Sequence, residues 1–452
     1  TGCAGSKEAD LLPSTGSGWL EGLLGSLKTS QASASLRVAG GSSRCLLCRG
    51  SRMLCGKSLC PVALKFESLV KTGALVLDTR LAGISPPAVF VGRFGSPKVF
   101  VGPMVPPILE DTSLLSKPEL WFGKSIQEVV EMRSKLVRGK YLVSVDSPSR
   151  GLDRISEKVQ ELGISSAPAE SEVEFVKKPT STVTLSDHFE PFGPSATLKE
   201  FDLGNCKVSK HVERAFYDTD LKAEGAVMLS YRAGVEVSAI QRAFSVGAFG
   251  LGKRRRFVPT RWSITAVDSI ISQKLIQGVK ENPLVNDYLV YECDNLDNRY
   301  LVLMIPEPWC YEWIEAWWPG TAWNPEDSIS VEGDHEFFEG RTTYASIGGC
   351  YYAVRLAVAE KLSSMGRQAG VVALREAYPG YIVPVGVWIN RESVRAALRK
   401  EPKKFGTLSE ALQHISTRMR VPISSWVSTS ALLKDALYQK RLRTFFSEFG
   451  LP

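Results

Sequence analysis

Tyr288-Leu289-Val290-Tyr291, then Asp294-Asn295-Leu296-Asp297-Asn298, then Tyr300-Leu301-Val302-Leu303-Met304-Ile305, is the stretch that decides the class of fold. Two runs of β-branched, aromatic and aliphatic residues flank a segment rich in Asn and Asp, an order that predicts an antiparallel hairpin. A second hairpin is predicted where Ala88-Val89-Phe90-Val91-Gly92 and Lys98-Val99-Phe100-Val101-Gly102 enclose Arg93-Phe94-Gly95-Ser96-Pro97. Around them, apolar residues recur at helical spacing over residues 119–138, 152–162, 238–246, 265–279, 351–365 and 408–419. Hairpins and helices without a regular strand–helix–strand series predict an α+β (mixed α/β) fold.

Other segments carry weaker signals. Residues 74–77 and 227–231 read as strands, and residues 381–389 as strand-like. Pro103-Met104-Val105-Pro106-Pro107 is expected to end any strand. Residues 164–198, rich in Ser, Pro, Thr and Glu, read as a connector or exposed loop. Residues 1–40 are rich in Gly and Ser and are expected to be largely disordered.

At 452 residues the chain exceeds the usual size of one domain. An apolar fraction of 44% and a charged fraction of 23% are those of an ordinary globular protein. No run reaches the roughly 18 apolar residues of a membrane-crossing helix, and no secretory signal is expected at the start. These readings place the protein inside the cell. A net charge of +7 permits nucleic-acid binding without requiring it.

Four of the nine cysteines crowd together as Cys45-x2-Cys48-x6-Cys55-x4-Cys60. Two pairs of thiolates from two turns suit the closed tetrahedral arrangement of structural zinc, which leaves no open position for catalysis. Arg44, Arg49, Arg52 and Lys57 favour the deprotonated thiols and offer cations for DNA. The competing reading is a pair of disulfides, disfavoured inside a cell. Cys3, Cys206, Cys293, Cys310 and Cys350 are scattered and read as core or surface residues.

Gln439-Lys440-Arg441-Leu442-Arg443-Thr444-Phe445-Phe446 has the pattern of a sliding-clamp-binding peptide, a PIP motif. One tight helical turn would bring Leu442, Phe445 and Phe446 to one side as an apolar plug. Aromatics in a pocket are the usual hot spots of such interfaces, and the Gln439 amide can both donate and accept at the rim. The bland alternative is a last helix folded onto the core.

Basic residues cluster at Lys253-Arg254-Arg255-Arg256, again at Arg395, Arg399, Lys400, Lys403 and Lys404, and around the clamp motif. Lys253, Arg254, Arg255 and Arg256 are the candidates for DNA contact, since consecutive cations beside glycines can track a phosphate backbone. The preceding Gly247-Ala248-Phe249-Gly250-Leu251-Gly252-Lys253 fills the first places of a P-loop, but Arg254 stands where Ser or Thr should hold magnesium. A phosphate-cradling loop without hydrolysis is the better reading.

Trp309, Trp313 and Trp317 recur every four residues, as one stripe of a helix would, and read as core before they read as a base-stacking surface. Asp334-His335-Glu336 with Glu339, and Asp218, Asp220 and Glu224, are weak candidates for a divalent metal.

The cysteine knuckle with Leu54-Cys55-Gly56 and Cys60-Pro61 resembles the start of archaeal Nre DNA repair proteins. So do Ser85-Pro86-Pro87 with Val91-Gly92-Arg93, Val101-Gly102-Pro103-Met104, and Val258-Pro259-Thr260-Arg261-Trp262-Ser263. The motif from Gln439 completes the likeness, which covers roughly residues 44–452. The resemblance implies two packed Nre regions, a role in DNA damage repair and docking on the sliding clamp PCNA. The implied zinc ligands are Cys45, Cys48, Cys55 and Cys60, and the implied clamp contacts Gln439, Leu442, Phe445 and Phe446.

The expected organisation is an extension over 1–43, a zinc knuckle over 44–63, Nre regions over 64–330 and 331–437, and a flexible clamp-binding peptide over 438–452. The function expected is that of a clamp-recruited, nucleoid-associated DNA repair protein. The rival is an enzyme acting on damaged DNA, either a metal-dependent nuclease or an NAD-using transferase of the ADP-ribosylating kind. A pocket joining Arg232, Arg261 and Asp268 would favour the enzyme.

Overall fold

The structure is a computed structural model that describes residues 36–41, 48, 52–54, 57, 59–76, 78–185, 192–321, 323–324 and 326–439. In chain order, β1 (Leu36–Gly41) and helix α1 (Pro61–Leu75) precede β2 (Arg80–Ser85), β3 (Val89–Val91) and β4 (Lys98–Val105). Then come α2 (Ile126–Ser134), β5 (Val137–Ser144), α3 (Arg154–Ile164), β6 (Ala169–Phe175), β7 (Ser181–Leu185) and β8 (Ser195–Leu203). Four helices follow: α4 (Lys210–Tyr217), α5 (Ala223–Arg232), α6 (Val237–Ser245) and α7 (Thr260–Val279).

The hairpin predicted at the outset is β9 (Tyr288–Asn295) with β10 (Asn298–Ile305). Its turn is Leu296-Asp297, both in the left-handed region with φ of 50° and 54°, the geometry that matches a two-residue hairpin to the twist of its strands. Asn298 Nδ2 donates to the carbonyl of Leu296 at 2.7 Å and holds that turn. The rest is β11 (Cys310–Trp317), β12 (Ser330–Glu336), α8 (Gly349–Met365), β13 (Gly370–Ala377), α9 (Trp388–Leu398), β14 (Lys403–Phe405), α10 (Leu408–Arg418), α11 (Ile423–Thr429) and α12 (Ala431–Tyr438).

Two six-stranded sheets organise the molecule, with strand orders β2-β6-β8-β5-β4-β3 and β12-β11-β13-β10-β9-β14; β1 and β7 form a separate parallel pair. One face of the first sheet packs Val99, Val101, Val137, Val143, Val173 and Phe201 against α3 to α7. The second sheet is covered on both faces. Tyr300, Val302, Met304 and Trp313 meet α8 and α9. Leu301, Leu303, Ile314 and Leu374 meet α10 to α12. Helix α7 belongs to both halves, with Val267 and Ile271 in the first core and Ile276 and Val279 in the second.

Mixed sheets and helices agree with the expected α+β class. The second sheet takes strands from both expected Nre regions, 64–330 and 331–437: β9, β10 and β11 come from the first, β13 and β14 from the second, and β12 begins at Ser330. No helix among the described residues is long and apolar enough to cross a membrane.

Several local expectations are corrected. Ala74 and Leu75 end α1 and Val76 lies in no strand, while residue 77 lies outside the described residues. Residues 227–231 lie in α5, because a short apolar run has the same look in a buried helix as in a strand. Residues 381–389 form no strand; Tyr381, Ile382, Val383 and Val385 are buried against Trp121 and Val129 before α9 begins. The helix of 119–138 shrinks to α2, started by a reciprocal cap in which Ser125 and Glu128 satisfy each other's backbone N–H; Val137 opens β5.

Pro103 does not end β4. The β4–β5 ladder is interrupted opposite Gly139 and resumes in the same register at Met104↔Arg138, so the missing proline N–H falls in the gap. The close approach there requires glycine: a Cβ on Gly102 would lie 1.9 Å from the Gly139 carbonyl oxygen. Residues 164–198 are not a mere connector, since they carry β6, β7 and the start of β8.

Candidate functional site

Of the four candidate zinc ligands, Cys48 and Cys60 are described and both are buried; Cys45 and Cys55 lie outside the described residues. Cys60 immediately precedes α1, and Pro61 opens the helix with the φ it needs. The Ala63 N–H donates to Cys60 Sγ at 3.4 Å. A sulfur at a helix N-terminus that accepts a backbone N–H is held in the environment that favours a thiolate, the form a metal binds. The donor chemistry at this position therefore fits a thiolate-bound ion. Among the described residues no group of three His, Cys, Asp or Glu side chains converges for a metal.

Lys57 lies between Cys55 and Cys60 in the sequence. It is buried, and its Nζ donates to the carbonyls of Gly320 and Thr321 at 2.9 and 3.0 Å. The knuckle segment is thereby pinned to the turn after β11, some 260 residues away in sequence. No spacing rule announces such a contact.

Gln439 caps α12. Its N–H donates to Asp435 O at 3.0 Å, its backbone is extended (φ −81°, ψ 116°) and it is exposed. Leu442, Phe445 and Phe446 lie outside the described residues.

The basic run splits. Lys253, Arg254 and Arg256 are exposed, while Arg255 turns inward. Arg255 Nε donates to Gly250 O at 2.9 Å and its Nη2 to Asp218 O at 3.0 Å, with the guanidinium over the Phe216 ring. Arg255 is thus a brace, its guanidinium committed to protein carbonyls. The glycine segment before it is largely engaged within the fold. It follows helix α6, buries Ala248 and Phe249, and commits the N–H groups of Gly247, Ala248 and Gly252 to the carbonyls of Phe244, Ala243 and Thr219.

Four of the acidic candidates are likewise occupied. Asp334 receives Arg341 Nη2 at 2.9 Å and Ser346 N at 2.7 Å; burial raises its carboxyl, but these partners outweigh it and hold it down at about 2. Glu336 is buried and accepts from Arg355 Nη1 at 2.7 Å and Tyr351 Oη at 3.1 Å. Asp218 Oδ1 accepts from the N–H groups of Asp220 and Leu221, and Glu224 pairs with Lys274 at 2.7 Å. The tryptophan stripe lies on and before a strand, β11, and not on a helix. Trp309 and Trp313 are fully buried, as core.

Arg232 and Arg261 are exposed and Asp268 is buried, so the three share no pocket. Asp268 instead meets Arg391 Nη1 through both carboxylate oxygens at 3.0 and 3.1 Å, and Gln241 Nε2 at 2.8 Å. The chain of charge continues through Glu392 to Arg395, then Glu360 and the Tyr231 hydroxyl. It joins α5, α6 and α7 of the first half to α8 and α9, and every link is a made hydrogen bond. This is a seam between the halves.

A chain with two such sheets, a cysteine-rich segment tied to the second through Lys57, and the Gln439 motif starting directly beyond α12 matches known families along most of its length. The family model described as "Archaeal Nre, N-terminal" matches residues 54–324, and "Archaeal Nre, C-terminal" matches residues 336–445. The chain belongs to the archaeal Nre family. It is 39% identical to "DNA repair protein NreB" of Archaeoglobus fulgidus over 391 residues, 86% of this chain and 97% of that one. It is 35% identical to "DNA repair protein NreA" of the same organism, over 84% of this chain and 94% of the relative. "DNA repair protein NreA" of Haloferax volcanii is 35% identical over 77% of this chain and 84% of its own length. No solved structure matches the chain.

Proposed function

We propose that this chain is a DNA repair protein recruited to DNA by the sliding clamp PCNA, through Gln439, Leu442, Phe445 and Phe446. The observation that carries the reading is the state of Gln439: helix α12 stops at Tyr438, and the motif begins at an exposed residue with extended backbone. A clamp pocket can take up a peptide that starts there without unwinding α12. The names of the relatives support a role in DNA repair.

Cys45, Cys48, Cys55 and Cys60 hold one structural zinc ion in this reading, supported by the donor environment of Cys60. The ion closes the knuckle over 44–63, which Lys57 fixes to the folded body. Lys253, Arg254 and Arg256 serve as phosphate contacts. A clamp-tethered protein meets its DNA at a raised local concentration, so modest contacts of this kind suffice. Its place is the cytoplasm, on the nucleoid.

The test is the double replacement Phe445→Ala with Phe446→Ala, assayed by titration calorimetry against the clamp. Removal of two hot-spot aromatics weakens binding by on the order of a hundredfold or more, while the melting temperature stays at the wild-type value. Undiminished clamp binding would sink the proposal.

A further inference from the structure

The two faces of the first sheet differ. On β4, Val99 and Val101 point into the core, and Lys98 and Phe100 point away from it. On β5, Val137 and Val143 point in, and Arg138, Lys140 and Leu142 point away. Phe100 and Leu142 are direct cross-strand partners and stand 43% and 52% exposed. The hairpin tip adds Phe94, 75% exposed, with the Arg93 guanidinium 4.6 Å from its ring centre. Gly95 makes this tip possible, since its φ of +93° is one that a side chain disfavours.

The strands of this part of the face carry charge of one sign. Residues 89–105 and 137–144 include Arg93, Lys98, Arg138 and Lys140 and no Asp or Glu. Arg138 lies over the rings of Phe90 and Phe192 at 4.7 and 5.0 Å. Burial pushes the Lys140 ammonium down, and the nearby Arg138 adds to the push. Two strands away the sign reverses: β6 turns Glu170, Glu172 and Glu174 to the same side, and Glu174 pairs with Lys199. An anionic polymer is therefore drawn to β3–β4–β5 and turned away from β6.

Flat exposed rings between cations meet the two needs of unpaired nucleotides, a surface for base stacking and countercharge for phosphate. A duplex keeps its bases stacked on one another and cannot use Phe94 and Phe100. The exposed run Lys253, Arg254 and Arg256 borders the same tip, because Phe257 N–H donates to Val145 O at 2.8 Å and Val145 N–H to Pro97 O at 2.9 Å. We infer that the outer face of β3–β4–β5, with its tip at Phe94, binds single-stranded DNA through Phe94, Phe100, Lys98 and Lys140. The inference rests on the reading that this protein works on DNA, and it does not depend on clamp binding.

The experiment is fluorescence anisotropy of the full chain, without clamp, against a labelled thymidine oligomer and a duplex of equal length. The expected result is a preference for the single strand. Phe94→Ala and Phe100→Ala each weaken it by about tenfold, the effect of losing one stacked base, and leave duplex affinity unchanged. Lys98→Glu weakens binding and flattens its dependence on salt. Both phenylalanines are exposed, so an unchanged melting temperature shows that the variants fold. Equal affinity for both DNA forms, or single-strand affinity indifferent to Phe94 and Phe100, overturns the inference. A preference for the corresponding uridine oligoribonucleotide overturns its assignment to DNA. None of these outcomes bears on Phe445 and Phe446, whose failure would appear only in the clamp titration.

Discussion

Among the described residues the first sheet packs its main core on one face and the second sheet on both, and the difference shows in the residues each can tolerate. In β6 the sequence Ala-Glu-Ser-Glu-Val-Glu-Phe alternates buried and solvent-facing positions. In β13, Gly370 to Ala377, every residue is buried. A strand covered on both faces has no solvent side for its polar groups, yet β13 carries Arg375 and Glu376, and β11 carries Glu312 and Glu315. Each is answered: Arg375 Nη1 donates to Glu315 at 2.7 Å and its Nε to Asn298 at 3.0 Å, and Glu376 accepts the N–H groups of Arg420 and Val421. Glu312 accepts the Ser430 hydroxyl and the N–H of Ala431, tying α12 to the sheet. The second half is held by paired charges in register, and the first by aliphatic packing on one side.

The largest test of this contrast lies at the seam. Arg391→Ala leaves Asp268 buried with a single neutral donor, Gln241, and should destabilise the chain by about 3–5 kcal/mol, the usual cost of breaking a buried pair from one side. Urea unfolding followed by circular dichroism would read it. Joint replacement, Asp268→Leu with Arg391→Met, should recover much of the loss, because the pair's own desolvation is also removed. If Arg391→Ala unfolds near the wild-type midpoint, the seam does not brace the halves.

The next test asks whether coverage itself sets the difference. Leu303 and Met304 are neighbours on β10 that point to opposite faces, and both are fully buried. Leu303→Ala and Met304→Ala should each cost about 2–5 kcal/mol. On β4 the outward Phe100, though larger, should cost no more than about 0.5 kcal/mol when changed to Ala. A large loss at Phe100 would mean that its face is covered in the folded protein, and would count equally against a nucleic-acid surface there.

What the sequence disclosed follows the same divide. Features set by neighbours along the chain were readable. The β9–β10 and β3–β4 hairpins, α3, α6, α8 and α10 stand close to where periodicity puts them. Period two in β6 was hidden because its outward residues are all Glu, which made the segment look like a polar connector. The tryptophan spacing could not tell helix from strand, since residues four apart share a side in both. Asp268 with Arg391, Lys57 with Gly320, and Glu336 with Arg355 are joined by the fold alone, and composition reads each of them as an ordinary charge. The inward turn of Arg255 was invisible for the same reason: a run of four cations looks uniform until the chain path separates them.

The smallest effect concerns how far the ionic bracing reaches toward the edge of the second sheet. Asp334 lies on the edge strand β12, bonded to Arg341 and Ser346. Its folded carboxyl is held at about 2, below its ordinary value in an unfolded chain. A group depressed on folding contributes stability above its unfolded pKa and loses it as pH falls through the folded one. Asp334→Asn removes the charge at any pH. Its cost should therefore be present at neutral pH, at about 1 kcal/mol for a pair partly open to water, and should fade as pH drops toward 2. The measurement is the difference in urea midpoint between variant and wild type across that range. A difference that grows on acidification would reverse the sign and show that Asp334 is held protonated, with Arg341 bracing β12 through its carbonyl contacts with Thr343 and His335 instead.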